Sequence, residues 1–196
     1  MGKAARRAEP ESIGEALRSL EIPILHRLQG HARAEGGDLL WLDPRTLAVG
    51  VGFRTNRDGL RSLAGALAPL GVDVVEVQLP YFAGPEACLH LMSLVSLLDR
   101  DLAVVHSRLI PVEFWCLLRD RGCALIECDD SEFETLAPNV LALAPRHGLM
   151  LEGNPRTRAK LEAAGCRVET YRGAEISLLA EGGPTCLTRP LLRDSA

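Results

Sequence analysis

The sequence lacks the features that would point to nucleic acids, membranes or secretion. Its 196 residues carry a formal net charge of -4, so no basic surface for nucleic acid is predicted. The basic residues Lys3, Arg6 and Arg7 are expected to form a solvated N-terminus. No apolar run has membrane-spanning length, because the charged residues 99–101 interrupt the longest one. The start also lacks the apolar core of a signal peptide. We therefore predict a cytoplasmic protein with no membrane or nucleic-acid partner.

The cysteines lack the spacing of a metal site. No two of them are arranged as CxxC, which is typical of zinc sites. Without a secretion signal the thiols are expected to be reduced, and most of them are expected to be core fillers. We predict no metal site. The six cysteines stand at positions 88, 116, 123, 128, 166 and 186.

What the sequence does contain is a repeat of helix and strand. Apolar residues recur at helical spacing in four places, and a short apolar strand follows each. Gly71, Gly122 and Gly165 stand where three of these helices should stop. Aligned after the helix ends, the units repeat every 44–52 residues, which predicts stacked or radially arranged units. The helices are predicted at 10–20, 57–70, 112–121 and 155–164, and their strands at 22–25, 72–77, 123–128 and 166–171.

Further apolar strands lie between these pairs, so each unit is predicted to be β-β-α-β. Since the strands are apolar along their length, we expect a sheet that is covered by helices on both faces. The sequence therefore predicts a single α/β domain over residues 1–196, with residues 1–9 disordered. The additional strands are predicted at 38–42, 46–51, 102–106, 139–143 and 148–151.

One polar residue follows each aligned strand at a similar distance. Glu35, His90, Asn139 and Cys186 come 13–18 residues after the aligned positions. Radial packing would bring these four connections together at one end of an axis. The alternative is four unrelated loop residues with similar offsets. Asn139 by itself, directly after a proline, favours a backbone turn bond.

Cys186 is the candidate nucleophile of this set. It follows a Gly-Gly-Pro turn at 182–184, whose backbone can bring a small thiol to the mouth of a site. The alternative is a buried structural thiol, since free cysteine is among the most buried residue types. A thiol nucleophile needs a base and a group that orients the substrate, and His90 and Glu35 are residues of those types.

Four short stretches, in order along the chain, carry a family resemblance. They are Glu-Gly-Gly-Asp at 35–38, Gly-Phe-Arg-Thr-Asn-Arg-Asp-Gly at 52–59, Leu-His-Leu at 89–91 and Gly-Gly-Pro-Thr-Cys-Leu-Thr at 182–188. The chain resembles the guanidino-group-modifying superfamily of arginine deiminase, dimethylarginine dimethylaminohydrolase and the amidinotransferases. The resemblance implies the pentein fold, an α/β propeller of five β-β-α-β units around a pseudo-fivefold axis, with four units visible in this chain.

The resemblance also implies a role for five residues. Cys186 is implied as the nucleophile and His90 as the general acid and base. Glu35 is implied to hydrogen-bond the substrate guanidinium, and Arg54 to pair with the substrate carboxylate. Asp38, in the same binding loop, is implied as a structural partner of the glycine turn. This chemistry requires no metal or organic cofactor.

The function that follows is hydrolysis of the guanidino group of a small-molecule substrate, arginine or an N-methylated arginine. The products are citrulline and ammonia or an amine, formed through a covalent thiouronium on Cys186. One alternative is a truncated, catalytically impaired relative that only binds guanidines or a partner. A second alternative is an amidinotransferase, which passes the amidino group to an amine.

The sequence departs from the family at two places. Only 34 residues precede Glu35, where the family has about one more unit with an acidic residue. We expect a truncated start, or a homo-oligomer in which a partner chain completes the ring. Met92 stands where deiminases have Asp and dimethylarginine hydrolases have Lys. Because Met makes no charge-assisted bond, it favours an alkylated guanidine substrate or weaker activity, with an apolar filler as the alternative.

Overall fold

The computed structural model describes residues 4–191, which fall into two compact units. The first unit runs to Leu91 and the second begins at Met92. The described residues form three sheets of three strands each, one in the first unit and two in the second. Lys3, and with it part of the predicted basic N-terminus, lies outside the described residues.

The first unit contains one helix before its sheet and one within it. α1 (Glu9–Ser19) precedes the sheet. β1 (Leu39–Asp43) and β2 (Thr46–Val51) form an antiparallel hairpin. α2 (Arg57–Leu67) then connects β2 to β3 (Asp73–Gln78), which pairs parallel with β2. The sheet is therefore built from one β-β-α-β unit, as predicted.

The second unit repeats this arrangement twice. Each sheet again has an antiparallel hairpin, a connecting helix and a third strand parallel to the second. The elements are β4 (Val95–Asp99), β5 (Leu102–Val105), α3 (Val112–Asp120), β6 (Ala124–Glu127), β7 (Leu141–Ala144), β8 (His147–Leu151), α4 (Pro155–Ala163), β9 (Arg167–Tyr171) and the short α5 (Pro184–Leu187).

The three hairpins share an irregularity that confirms the repeat. In each, the pairing register shifts just before the first strand ends, as expected of a β-bulge. The shifts lie between Trp41 and Asp43, between Leu97 and Asp99, and between Ala142 and Ala144. An irregularity at the same place in three sheets indicates one repeated structural unit.

Helix ends follow the local sequence. The side chain of Asn56 caps α2 by accepting a hydrogen bond from the Gly59 backbone N–H at 2.9 Å. Gly71, Gly122 and Gly165 take left-handed φ angles of 70°, 78° and 86° between a helix and the next strand. Glycine adopts this conformation without a steric penalty, so the three predicted helix stops are confirmed.

Apolar side chains from the strands and helices form the cores. In the first unit, Leu47 and Val49 of β2 pack with Leu67 of α2. In the second unit both sheets contribute to one cluster. The predicted burial on both faces holds for the central strands β2 and β5, whereas flanking strands such as β6 are partly exposed.

One strand prediction fails, and one observed strand was not predicted. The strand predicted at 22–25 is wrong, because residues 22–29 have no regular secondary structure. Pro23 cannot donate a ladder hydrogen bond, and no strand within residues 4–191 pairs with this segment. β4 was not predicted, since its apolar run does not alternate and periodicity alone does not identify it as a strand. The four predicted units therefore correspond to three sheets and α1 in the described chain.

The cysteine prediction is also corrected. Cys123, Cys128 and Cys166 are buried, whereas Cys88, Cys116 and Cys186 are exposed. The expectation that most of the six are core fillers is therefore wrong. Burial raises the pKa of Cys123 to about 11 and that of Cys128 to about 12.

Three further expectations stay predictions. Ala4–Arg6 form a 3₁₀ turn and Glu9 begins α1. The predicted disorder of residues 1–9 stays a prediction. The single domain stays a prediction as well. Among residues 4–191, each helix is too short or too polar to cross a membrane. The cytoplasmic location is a prediction of the sequence alone.

Gly59 makes a close contact that a side chain would disrupt. A Cβ at this position would lie 2.0 Å from the carbonyl oxygen of Arg33, in the segment leading to Glu35. We expect Gly59→Ala to lower the free energy of unfolding by ~1–3 kcal/mol in urea titrations. Gly65→Ala, in the same helix, is the matched control, because a Cβ at position 65 would have no neighbouring atom within 4 Å. The control should stabilise by ~1 kcal/mol, and equal effects of both changes would contradict the contact argument.

Candidate active site

The first unit gathers four of the five predicted site residues into one cluster. Glu35 directly precedes a 3₁₀ turn at Gly36–Asp38 that leads into β1. Arg54 follows β2, and His90 lies in the loop that ends the unit. We call Glu35, Asp38, Arg54, Thr55 and His90 the Glu35 cluster. Its members come from three separate segments that meet only in the folded unit.

Glu35 and Arg54 form a buried bidentate ion pair. Nε of Arg54 donates to Oε1 of Glu35 at 3.1 Å, and Nη2 lies 2.8 Å from Oε2. Both side chains are only 4% exposed. The planar guanidinium matches the two carboxylate oxygens, and such pairing compensates the cost of burying both charges. The carboxylate predicted to bind a substrate guanidinium thus binds a guanidinium of the protein itself in this structure.

His90 adds a third bond to the same carboxylate. Its Nε2 lies 2.9 Å from Oε2 of Glu35, and its side chain is 13% exposed. A Cβ on Gly37 would be 2.8 Å from the imidazole Cγ. The second glycine of the Glu-Gly-Gly-Asp stretch is therefore required for the ring to lie against the backbone.

Asp38 connects the segments beneath this pair. Its Oδ2 accepts from Oγ1 of Thr55 at 2.6 Å, and its Oδ1 accepts from the backbone N–H of Leu91 at 3.0 Å. Thr55 Oγ1 in turn accepts from the backbone N–H of Glu35 at 3.0 Å. Burial raises the pKa of Asp38, and the nearby His90 and these hydrogen bonds oppose that shift. The fully buried Asp38 therefore fixes the backbone around Glu35 and His90.

Cys88 is a member of the site that the sequence analysis missed. Its Sγ lies 3.6 Å from Nδ1 of His90, the ring nitrogen that does not face Glu35. The hydrogen bond with His90 lowers the pKa of Cys88, and burial only partly opposes it. The signal was present in the sequence, since a thiol two residues before a candidate base is within reach of its ring.

The contacts of His90 hold it in the protonated form. Burial by itself lowers the pKa of His90, but the hydrogen bonds with Cys88 and Glu35 and the charge of Asp38 together raise it to about 10. The imidazole is therefore an imidazolium at neutral pH. A protonated histidine beside a buried carboxylate is suited to donate a proton to a leaving group.

Cys88 should react with electrophiles faster than Cys116, which is also exposed. Because its pKa is lowered, more of it is thiolate at pH 7. We expect iodoacetamide to modify Cys88 before Cys116, with the modified peptides measured by mass spectrometry. His90→Gln should slow the reaction at Cys88 and leave Cys116 unchanged. A rate at Cys88 that is the same in both proteins would show that His90 does not activate it.

The raised pKa of His90 also predicts how stability depends on pH. Because the folded value is above the ordinary 6.5, the imidazolium stabilises the folded state below about pH 6.5. That contribution is lost as pH rises towards 10. The free energy of unfolding should therefore fall from pH 6.5 to 9, and His90→Gln should flatten this dependence. Both proteins should carry Cys88→Ser, since the lowered pKa of Cys88 contributes with the opposite sign. In this background Glu35 and Asp38 remain to raise the pKa of His90, so the fall should end below pH 10.

Cys186 lies in the second unit, where it contacts Asn139. It stands in α5, directly after the glycine turn, and is exposed. Nδ2 of Asn139 donates to Sγ of Cys186 at 3.3 Å. The sequence favoured a backbone turn bond for the Asn139 side chain. Its Oδ1 does accept from a backbone N–H, that of Thr185, and its Nδ2 makes the further contact with Cys186 that the sequence did not favour.

The predicted site residues thus form two groups. Glu35, Asp38, Arg54 and His90 are joined in the first unit, and Cys186 is joined to Asn139 in the second. The meeting of Cys186 with His90 stays a prediction. Within the described residues, no three His, Cys, Asp or Glu side chains are placed to hold a metal ion.

The chain is similar in sequence to arginine deiminases. The sequence model of the arginine deiminase family matches residues 19–123. The arginine deiminase of Mycobacterium marinum is 29% identical, over 83% of this chain and 47% of that protein. The arginine deiminase of Mycobacterium tuberculosis H37Rv is 30% identical over the same shares. The chain therefore spans about half the length of the curated relatives it matches.

Solved structures confirm the fold. A mutant dimethylarginine dimethylaminohydrolase from Pseudomonas aeruginosa, complexed with citrulline, has a TM-score of 0.75 and 25% identity. The match covers 94% of this chain and 66% of that one. The cyanobacterial arginine dihydrolase ArgZ has a TM-score of 0.77 at 23% identity, over 96% of this chain and 29% of its own. The predicted α/β pentein fold is therefore confirmed.

Proposed function

We propose that this chain, which belongs to the arginine deiminase family, hydrolyses the guanidino group of arginine or of an N-methylated arginine. The products are citrulline and ammonia or an amine. The observation that carries the proposal is the buried contact between His90 and Glu35, which keeps an imidazolium beside a carboxylate. The related hydrolase complexed with citrulline supports the same class of product.

In the proposed reaction Cys186 is the nucleophile and His90 moves the protons. The thiolate of Cys186 adds to the guanidinium carbon and forms a tetrahedral adduct. The imidazolium of His90 donates its proton to the departing nitrogen, which leaves as ammonia or an amine. A thiouronium remains on sulfur. His90, now neutral, takes a proton from water, whose oxygen attacks the same carbon. Loss of the remaining hydroxyl proton to solvent, with cleavage of the C–S bond, releases citrulline and the thiolate.

Glu35 and Arg54 are proposed to bind the two ends of the substrate. Glu35 orients the guanidinium and Arg54 pairs with the substrate carboxylate, as the resemblance implies. In this structure the two side chains bind each other through Nε and Nη2 of Arg54. Substrate binding therefore requires Arg54 to use its other N–H groups, or the pair to open.

Met92 bears on which guanidine is preferred. It lies half-buried in the 3₁₀ turn Leu91–Ser93, directly after the residues that hold the site. A thioether packs against methyl groups and makes no charge-assisted bond to a free guanidinium N–H. We therefore expect the ratio of kcat/KM values to favour N-methylated arginine over arginine.

The test is a colorimetric assay for citrulline with the full chain. Arginine and dimethylarginine are the substrates, and Cys186→Ser is the control. Citrulline from the unmodified chain but not from Cys186→Ser supports the proposal. Citrulline that persists in the Cys186→Ser protein contradicts the thiol mechanism. If no guanidine gives product but arginine raises the melting temperature, the chain binds guanidines without hydrolysing them.

A further inference from the structure

We propose that Asn139 is a positioning residue, which holds the sulfur of Cys186 and donates an N–H to its thiolate form. The inference rests on the proposed function, in which Cys186 is the nucleophile. It adds a side chain for which the sequence favoured only a turn. All of the contacts that support it lie within the second unit.

The amide of Asn139 has one orientation that satisfies its neighbours. Its Oδ1 accepts from the backbone N–H of Thr185 at 3.0 Å and from Oγ1 of Thr185 at 2.9 Å. Its Nδ2 therefore faces Sγ of Cys186 at 3.3 Å. If the amide were flipped, its NH₂ would face the backbone N–H of Thr185, and neither group accepts a hydrogen bond. The donor directed at the sulfur is thus fixed by two independent bonds to the neighbouring residue.

The backbone around Asn139 is held as firmly. Its N–H donates to the carbonyl oxygen of Leu136 at 2.9 Å. Oγ of Ser96, on β4, donates to the carbonyl of Pro138 at 2.7 Å and accepts from the N–H of Val140 at 3.1 Å. Asn139 is 4% exposed and Ser96 is 2% exposed. The amide therefore projects from a backbone that is anchored on both sides of it.

The glycine turn allows the thiol loop to reach this amide. A Cβ on Gly183 would lie 2.4 Å from Cγ of Asn139, closer than any side chain tolerates. The carbonyl of Gly183 then accepts from the backbone N–H of Cys186 at 3.0 Å, within the turn that carries the thiol. The absence of a side chain at position 183 thus lets the backbone approach Asn139 closely enough to place the sulfur.

A fixed N–H donor affects the two forms of a thiol unequally. Sulfur accepts hydrogen bonds weakly as a thiol, and a charged acceptor forms a bond about twice as strong as a neutral one. The amide therefore favours the thiolate, which is the nucleophilic form. A carboxylate in the same place would oppose it, because it has no N–H and repels the negative charge.

The experiment measures alkylation of Cys186 by iodoacetamide from pH 5 to 10 in the full chain, with the modified peptide quantified by mass spectrometry. Asn139→Ala removes the donor. Asn139→Asp keeps a side chain of the same size but replaces the N–H donor with a negatively charged carboxylate. We expect the midpoint of the pH–rate profile to rise by about one unit in Asn139→Ala, a ~10-fold loss of rate at low pH, and further in Asn139→Asp. The exposed Cys116, on α3 of the same unit, is the internal control and should react unchanged.

The order of the three midpoints distinguishes the proposal from a structural role. A lower rate at Cys186 with an unmoved midpoint would mean that Asn139 only supports the loop, and would overturn the proposal. Equal midpoints in Asn139→Ala and Asn139→Asp would overturn it as well. If neither variant folds, Thr185→Val decides, because it removes one of the two bonds that orient the amide and leaves Asn139 in place. It should raise the midpoint by less than Asn139→Ala, and an unchanged midpoint would overturn the proposal.

This measurement is separable from the citrulline assay. Alkylation needs no turnover, so the two proposals can fail separately. A chain that forms no citrulline but shows the expected order of midpoints would refute the proposed function and support the role of Asn139 at Cys186. Citrulline formation together with midpoints that do not change on substitution of Asn139 would support the proposed function and refute the role of Asn139.

Discussion

Replacing His90 by glutamine should lower turnover of the guanidine substrate by ~10²–10⁴-fold, the usual contribution of general acid–base catalysis. Glutamine keeps a donor near Oε2 of Glu35 but cannot deliver a proton to the departing nitrogen. The measurement is kcat for citrulline formation at pH 7.

The matched control for this prediction is His147→Gln. His147 also pairs with a glutamate through Nε2, at 2.9 Å from Oε1 of Glu169, but this pair joins β8 to β9 and its side chains are 24% and 45% exposed. The control should keep its activity. If His90→Gln stays within about threefold of the unmodified chain, His90 does not transfer the proton in the rate-limiting step.

Replacing Glu35 by alanine should cost about 3–5 kcal/mol of unfolding free energy, because it leaves Arg54 as an uncompensated buried charge. The loss should appear as a lower midpoint in urea titrations followed by circular dichroism. Removing Arg54 in the same protein, as Glu35→Ala with Arg54→Met, should restore part of the stability, since the uncompensated guanidinium is then gone, although His90 still lacks Glu35.

The control here is a surface pair of the same kind. Arg57 and Glu76 are 3.1 Å apart with exposures of 65% and 36%. Glu76→Ala should cost less than ~1 kcal/mol, because solvent screens exposed pairs. A loss as small as this for Glu35→Ala would mean that water reaches Arg54 and that the cluster is not closed in solution.

Where the sequence predicts the fold correctly, the information is local. The glycines at 71, 122 and 165 terminate helices through a backbone conformation that depends on the residue itself. β2 is predicted with its observed bounds, because an apolar run between turn signals indicates a buried strand. The failed strand at 22–25 also has local apolar character, but a strand forms only where another strand can pair with it.

For the candidate site, the sequence identifies residue types and the structure decides their partners. Glu35 and His90 are named in advance, whereas the bond from Arg54 to Glu35 is not. Cys88 is missed although it is two residues from His90. Proximity in sequence does not show whether its thiol contacts the imidazole or which ring nitrogen it contacts.

By itself the sequence determined the repeated β-β-α-β unit, the family and the candidate residues Glu35, His90, Asn139 and Cys186. Periodicity, turn residues and short motifs can each be recognised within a short stretch of the chain. Only the tertiary structure decided that Glu35 holds Arg54 and His90 together and that Asn139 contacts Cys186. The physical reason is that hydrogen bonds of buried polar groups depend on distances of about 3 Å between segments far apart in sequence. Those distances are set by how the strands and loops pack, which no spacing along the chain specifies.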